Sequence, residues 1–257
     1  MSRIKELFSR KNKNVLNVYC TAGYPSLHDT LPVMRALQES GVDMIELGMP
    51  YSDPLADGPT IQSSSSKALA NGMTIHTLFD QLNDFRKEIQ LPVLLMGYMN
   101  PVLQYGFEKF CRHASEVGID GLILPDLPMF EFEKEFAPVI KKYGLDFVFL
   151  VTPETKDDRI RKLDQLTSGF LYAVSSSSTT GKNTSIGDQK EYFNKLQVMK
   201  LKNPVLIGFG IKDKTGFTEA CSYANGAIVG TAFIKVLEKA STANLPALTG
   251  EFIKSLK

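Results

Sequence analysis

Residues 46–59, Glu46-Leu-Gly-Met-Pro-Tyr-Ser-Asp-Pro-Leu-Ala-Asp-Gly-Pro59, set one carboxylate in an apolar run and two more, Asp53 and Asp57, in the Pro/Gly-rich stretch behind it. Period-two alternation from Asp43 to Leu47 puts Ile45 and Leu47 on one face of a strand and Met44 with Glu46 on the other, so the glutamate points into a core. An ionised carboxylate there is costly. Glu46 is therefore expected to be paired, hydrogen-bonded or raised in pKa, and a raised pKa suits a general acid or base working near neutrality. A buried structural ion pair is the alternative. Asp53 before Pro54 and Asp57 before Gly58 also suit ordinary turns.

The elements that must position these groups recur about every thirty residues. β-rich runs span 15–20, 44–47, 93–96, 121–124, 147–151, 170–174, 205–207 and 227–229, eight in all. Helical patterns lie between them over 27–40, 75–89, 107–117, 130–143, 156–166 and 190–199. Strand alternating with helix implies a parallel sheet. Several strands lack clean alternation, as strands covered on both faces do, and their number matches a closed (β/α)8 barrel better than an open doubly wound sheet. No linker divides the chain, so residues 1–257 read as one α/β domain, a TIM barrel with an extra amphipathic helix at the N-terminus. In such a barrel Glu46, Asp53, Asp57, Asn100, Asp126 and the segment from Tyr172 to Gly181 all follow strands on one rim.

Two glycine-bearing turns, Gly208-Phe-Gly-Ile211 and Gly226-Ala-Ile-Val-Gly-Thr231, fall where many barrels hold phosphate through backbone N–H groups, although either could be a simple strand-to-helix connection. His28, His76 and His113 lie in helical stretches and form no cluster, which leaves a metal-dependent aldolase without ligands. No strand ends in a buried Lys, which argues against Schiff-base chemistry, and the serine run 175–178 has no neighbouring His to activate it. Carboxylate acid–base chemistry remains. A net charge of +1 gives no broad field for nucleic acid or a membrane surface, and three widely spaced cysteines suit reduced thiols in the cytoplasm.

With these residues assembled, the chain resembles the tryptophan synthase alpha subunit family along its whole length. The segments that carry the resemblance are Leu47 to Gln62, Leu95-Met-Gly-Tyr-Met-Asn-Pro-Val102, Leu124-Pro-Asp-Leu-Pro128, Thr180-Gly181, Gly208-Phe-Gly210 and Gly230-Thr231. The resemblance implies a lyase of tryptophan biosynthesis that cleaves indole-3-glycerol phosphate to indole and glyceraldehyde 3-phosphate without metal or organic cofactor. It implies Glu46 and Asp57 as catalytic groups with Tyr172 as an auxiliary hydroxyl. Tyr19 and Phe209 would pack the indole, Thr180 would meet Asp57 in a closed loop, and Gly181, Gly210, Gly230 and Thr231 would hold phosphate. A beta subunit in an αββα assembly is implied as partner, contacting the regions of Pro50 to Asp53, Asn100-Pro101 and Asp126 to Met129. The chain departs from the family at Ser178 and Thr179, where Gly and Val are commoner, and at Lys182-Asn183, where an Arg is expected. A second reading, a regulatory subunit with little activity of its own, follows from that altered loop.

Overall fold

The computed structural model describes residues 2–175, 189–208 and 210–257. Its strands are β1 (Val15–Thr21), β2 (Met44–Gly48), β3 (Val93–Met96), β4 (Gly121–Ile123), β5 (Asp146–Phe147), β6 (Leu150–Val151), β7 (Leu171–Val174), β8 (Val205–Gly208) and β9 (Gly226–Val229). All the pairings are parallel, in the order β5-β4-β3-β2-β1-β9-β8-β7-β6. The strand expected over 147–151 is present as two pieces, β5 and β6. Between them Val148 donates its N–H to the Leu122 carbonyl on one side, and Phe149 accepts from Tyr172 N–H on the other. One continuous segment thus bonds to both ends of the sheet and closes the barrel.

The strands are almost wholly buried because helices cover them outside and side chains fill them inside. The N-terminal helix, Arg3–Arg10, is capped by Ser2 and buries Ile4, Leu7 and Phe8. Phe8 meets Phe170 just ahead of β7, so this helix plugs the N-terminal end of the barrel. Acidic groups tie the same end together: Asp120 accepts from Arg3, Arg86 and the Val93 N–H, and Asp43 accepts from Lys11 and the Leu16 N–H.

Several helical patterns are broken where the backbone demands it. The stretch 27–40 is a 3-10 turn, Leu27–Asp29, followed by the helix Thr30–Glu39. The stretch 75–89 stops at Leu82, because Asp84 adopts a left-handed φ of 66°, and resumes as the 3-10 turn Phe85–Lys87. The stretch 130–143 contains a π-helical segment, Phe132–Phe136. The serine run 63–66 lies inside the helix Pro59–Ala70, where Ser64 and Ser65 are buried and Ser64 Oγ meets Thr21 Oγ1 at 2.7 Å.

Candidate active site

Glu46 is completely buried on β2, in register with Tyr19 of β1 and Leu94 of β3. Asn17 Nδ2 donates to Glu46 Oε1 at 2.7 Å. Neither Glu46 Oε2 nor Asn17 Oδ1 has a partner among the described residues. Loss of water around the carboxyl pushes its pKa up to about 8, while the Asn17 donor pulls the other way. No ion pair holds it among the described residues.

Asp57 sits in the loop after β2, half-buried and built into a turn in which its N–H donates to the Pro54 carbonyl. The turn chemistry expected of an Asp before Gly is therefore present, yet the side chain faces elsewhere. Tyr98, just beyond β3, donates its hydroxyl to Asp57 Oδ2 at 2.9 Å and accepts from the Ala56 N–H at 3.0 Å. Gln62 ties the loop to the following helix by donating to the Asp57 carbonyl. Burial raises the Asp57 pKa to about 6, again against the pull of its hydrogen bond.

Tyr19 and Tyr172 are buried inside the barrel. Burial is the first cause raising the Tyr172 pKa, followed by the negative fields of Glu46 and Asp57, so this hydroxyl is within electrostatic reach of both carboxylates. Burial and then Asp57 raise Tyr19 in the same way. Each ring lies over a glycine: a Cβ on Gly48 would fall 2.0 Å from Tyr19 Oη, and one on Gly208 would fall 2.3 Å from Tyr172 Oη. The glycine of 208–211 nearest the strand thus makes room for Tyr172. Gly226 is likewise occupied by packing, since its Cβ would meet the Val15 carbonyl at 2.1 Å.

Gly210 and Gly230 remain as candidates for close backbone approach. The register places Gly208 beside Ile228, so each glycine lies two residues beyond a neighbouring strand position. Gly210 has a left-handed φ of 79°, and Gly230 precedes the helix Thr231–Leu237 with its α-carbon side near Tyr19 Cβ. Thr231 is exposed as the first residue of that helix. Thr180, Gly181 and Phe209 lie outside the described residues, as do Ser178, Thr179, Lys182 and Asn183.

Among the other rim residues, Asp126 accepts from the Met99 N–H with both oxygens, Asn100 donates to Tyr51, and exposed Asp53 accepts from Ser52. Asp126 and Asn100 thus tie neighbouring loops together, and Asp53 bonds within its own turn. The histidines lie in helical elements, as expected. His76 and His113 both pack on Tyr105, whose hydroxyl lies 2.6 Å from His113 Nδ1. That is an aromatic box, and no group of three His, Cys, Asp or Glu side chains suited to a metal occurs among the described residues. Asn17 and Tyr98 were not singled out from sequence. A polar residue two before Tyr19 in a largely apolar strand was the available signal for Asn17; for Tyr98 it was a place after β3 within the segment Leu95 to Val102 that carries the resemblance.

A family model for the tryptophan synthase alpha chain matches residues 6–253. The tryptophan synthase alpha chain of Flavobacterium johnsoniae is 49% identical over 252 residues, covering 98% of this chain and 99% of that one. That of Christiangramia forsetii is 48% identical over 258 residues, covering 100% and 99%. Among solved structures, tryptophan synthase subunit alpha from Legionella pneumophila str. Paris superposes with a TM-score of 0.90 at 34% identity over 100% of this chain and 97% of that one. A chain of tryptophan synthase from M. tuberculosis in its aminoacrylate-bound form gives 0.85 at 31% identity, with 100% of both chains covered. A buried carboxylate on β2, a half-buried one in the loop after it and this end-to-end likeness agree: the chain belongs to the tryptophan synthase alpha chain family, carbon–carbon lyases that cleave indole-3-glycerol phosphate and pass indole to a beta subunit.

Proposed function

We propose that Glu46 and Asp57 carry the retro-aldol cleavage of indole-3-glycerol phosphate, Glu46 moving the protons and Asp57 steadying the indole nitrogen. The observation that carries this reading is the pair of environments: one fully buried carboxyl held by a neutral amide with a pKa near 8, and a second held by a phenol with a pKa near 6. At neutral pH the first is mainly protonated and the second mainly ionised. Protonated Glu46 delivers its proton to indole C3, and positive charge develops on the ring nitrogen. Ionised Asp57 accepts the N–H hydrogen bond and stabilises that charge. Glu46, now a carboxylate, takes the proton of the adjacent side-chain hydroxyl. The O–H electrons form the aldehyde carbonyl, the carbon–carbon bond breaks, and its electrons return to the indole ring. Indole and glyceraldehyde 3-phosphate leave, and Glu46 is again protonated.

Tyr172 serves as an auxiliary hydroxyl, and Tyr19 and Phe209 pack the indole. Thr180 meets Asp57, and Gly181, Gly210, Gly230 and Thr231 hold the phosphate. Residues 1–257 act as one catalytic domain requiring no metal or organic cofactor. No helix among the described residues is long and apolar enough to cross a membrane, and all three cysteines are free and buried, which supports a cytoplasmic enzyme. The partner is a beta subunit in an αββα assembly. Leu55, Leu103 and Phe130, large apolar side chains that stand 89%, 51% and 68% exposed, follow β2, β3 and β4 and support docking on that sector of the rim. The test is indole release from indole-3-glycerol phosphate by the purified chain, with and without a beta subunit. Glu46→Gln and Asp57→Asn should each lower turnover by about a hundredfold or more while the protein stays folded. Near-normal turnover in Glu46→Gln would end this reading.

A further inference from the structure

Asn17 is an unusual occupant of its position. It sits in the middle of β1, between Leu16 and Val18, with no exposed surface. A primary amide has two donors and two acceptor sites, and burying one is unfavourable unless they are used. Here Nδ2 is used on Glu46, while Oδ1 has no partner among the described residues. An apolar side chain of similar size would fill the space without leaving a polar atom unmatched. The amide therefore has its explanation in the one bond it makes.

We propose that Asn17 is a positioning residue for the cleavage: its amide fixes Glu46 through Oε1 and leaves Oε2 as the oxygen that gives and takes the proton. This rests on the reading of Glu46 as the group that moves protons. A neutral donor suits the task better than a cation. Lys or Arg at this position would hold Glu46 ionised through the cycle. Asn17 instead donates to Oε1 when Glu46 is a carboxylate and also when it is a carboxylic acid protonated on Oε2, so the side chain keeps one orientation in both states. The carboxyl needs that constraint, because a proton donor must lie within hydrogen-bond reach of its target at the moment of transfer.

The neighbours leave this role to Asn17. The titratable groups that sense Glu46 are Cys20 on β1 and Tyr172 on β7. Burial pushes Cys20 up to about 12 and Tyr172 well above its ordinary value, so neither carries charge near neutrality. Asn17 makes the hydrogen bond to Glu46 found among the described residues.

The experiment is a pH profile of kcat and KM for indole release from indole-3-glycerol phosphate by Asn17→Leu, beside wild type and Glu46→Gln. Loss of the donor costs orientation, so kcat should fall about tenfold or more with KM within about twofold. It also removes the group that stabilises ionised Glu46, so the alkaline limb should move upward by about half a pH unit or more while the acid limb stays in place. A merely structural role would not move one limb alone. Should Asn17→Leu fail to fold, Asn17→Ser, which keeps a small hydroxyl donor, should show the same changes in smaller degree. A folded variant with wild-type kcat and both limbs unmoved would overturn the inference while Glu46→Gln remains inactive. If Glu46→Gln keeps its activity, the reading beneath it falls instead.

Discussion

A glutamate carboxyl ordinarily ionises near pH 4.5, and burial carries that of Glu46 to about 8, so between these limits the folded protein holds a proton that the unfolded chain releases. The sign follows directly. With more protons bound in the folded state, stability declines as pH rises from about 4.5 and the decline ends once the folded group is ionised near 8. Each pKa unit corresponds to about 1.4 kcal/mol. Glu46→Gln keeps the shape of the neutral acid and removes that proton linkage, so urea unfolding should find variant and wild type alike near pH 4.5 and the variant more stable by several kcal/mol at pH 8. Equal stability at both pH values would show that Glu46 is not desolvated. The same two pKa values set the activity of the wild type: kcat/KM should rise with pH through about 6 as Asp57 ionises and fall through about 8 as Glu46 loses its proton. Tyr98→Phe removes the donor that favours ionised Asp57. Its acid limb should therefore move upward and the alkaline limb should not; a profile unchanged at both ends would deny Tyr98 that part. The burial of Glu46 was legible in sequence because turn chemistry does not explain a carboxylate at an inward strand position, which leaves a functional group or a buried ion pair. Asn17 and Tyr98 were not, because a neutral polar residue or a tyrosine near a strand fits many surroundings, and only the pairing of β1 with β2 and the fold of the loop after β2 bring them to the carboxylates.

At the level of elements, strands were read with little error because apolar runs at regular spacing reflect burial on both faces. The fifth strand was the exception. Its two ends bond to different neighbours, so the run 147–151 is interrupted at Val148 and Phe149, and nothing in its composition marks the change of partner. Helix limits were harder, since a turn such as that at Asp84 breaks a helix without breaking its apolar period. Strand glycines carried another hidden message. Gly208 looked like part of a phosphate turn, whereas its lack of a side chain admits the Tyr172 ring. Gly208→Ala should place a methyl within 2.3 Å of Tyr172 Oη and force the ring from its seat. Overpacking of this kind costs about 1–3 kcal/mol. A lower melting temperature together with a fall in kcat is expected; unaltered turnover in the alanine variant would show that the position of Tyr172 has no bearing on the reaction.

Over the whole molecule, the barrel divides its tasks between two ends. Asp57 and Tyr98 lie just beyond the C-terminal ends of β2 and β3, above Glu46, Tyr19 and Tyr172 inside the barrel, at the end where loops vary without disturbing the sheet. The N-terminal end is closed by the helix Arg3–Arg10 and by Asp120, whose carboxylate receives Arg3 at 3.0 Å, Arg86, and the Val93 N–H at 2.8 Å. That division was legible as soon as the barrel was, because parallel strands fix which end each loop occupies, but the ionic closure was not: Arg3 and Asp120 are 117 residues apart. Asp120 is buried, and Arg86 is mostly so, with a guanidinium that also donates to the carbonyls of Gly118 and Leu91. Removing the carboxylate strands a buried cation and a buried N–H together, which costs more than the pair was worth. Asp120→Ala should therefore lose about 3 kcal/mol, seen as a melting temperature lower by roughly 6–12 °C. Because no described contact runs from Asp120 to Glu46 or Asp57, kcat at a temperature where the variant is folded should stay within about twofold of wild type. A drop in kcat comparable to that of an Asp57 substitution would mean that the two ends are coupled through the sheet, and catalysis would then have to be assigned to the barrel as a unit rather than to its mouth.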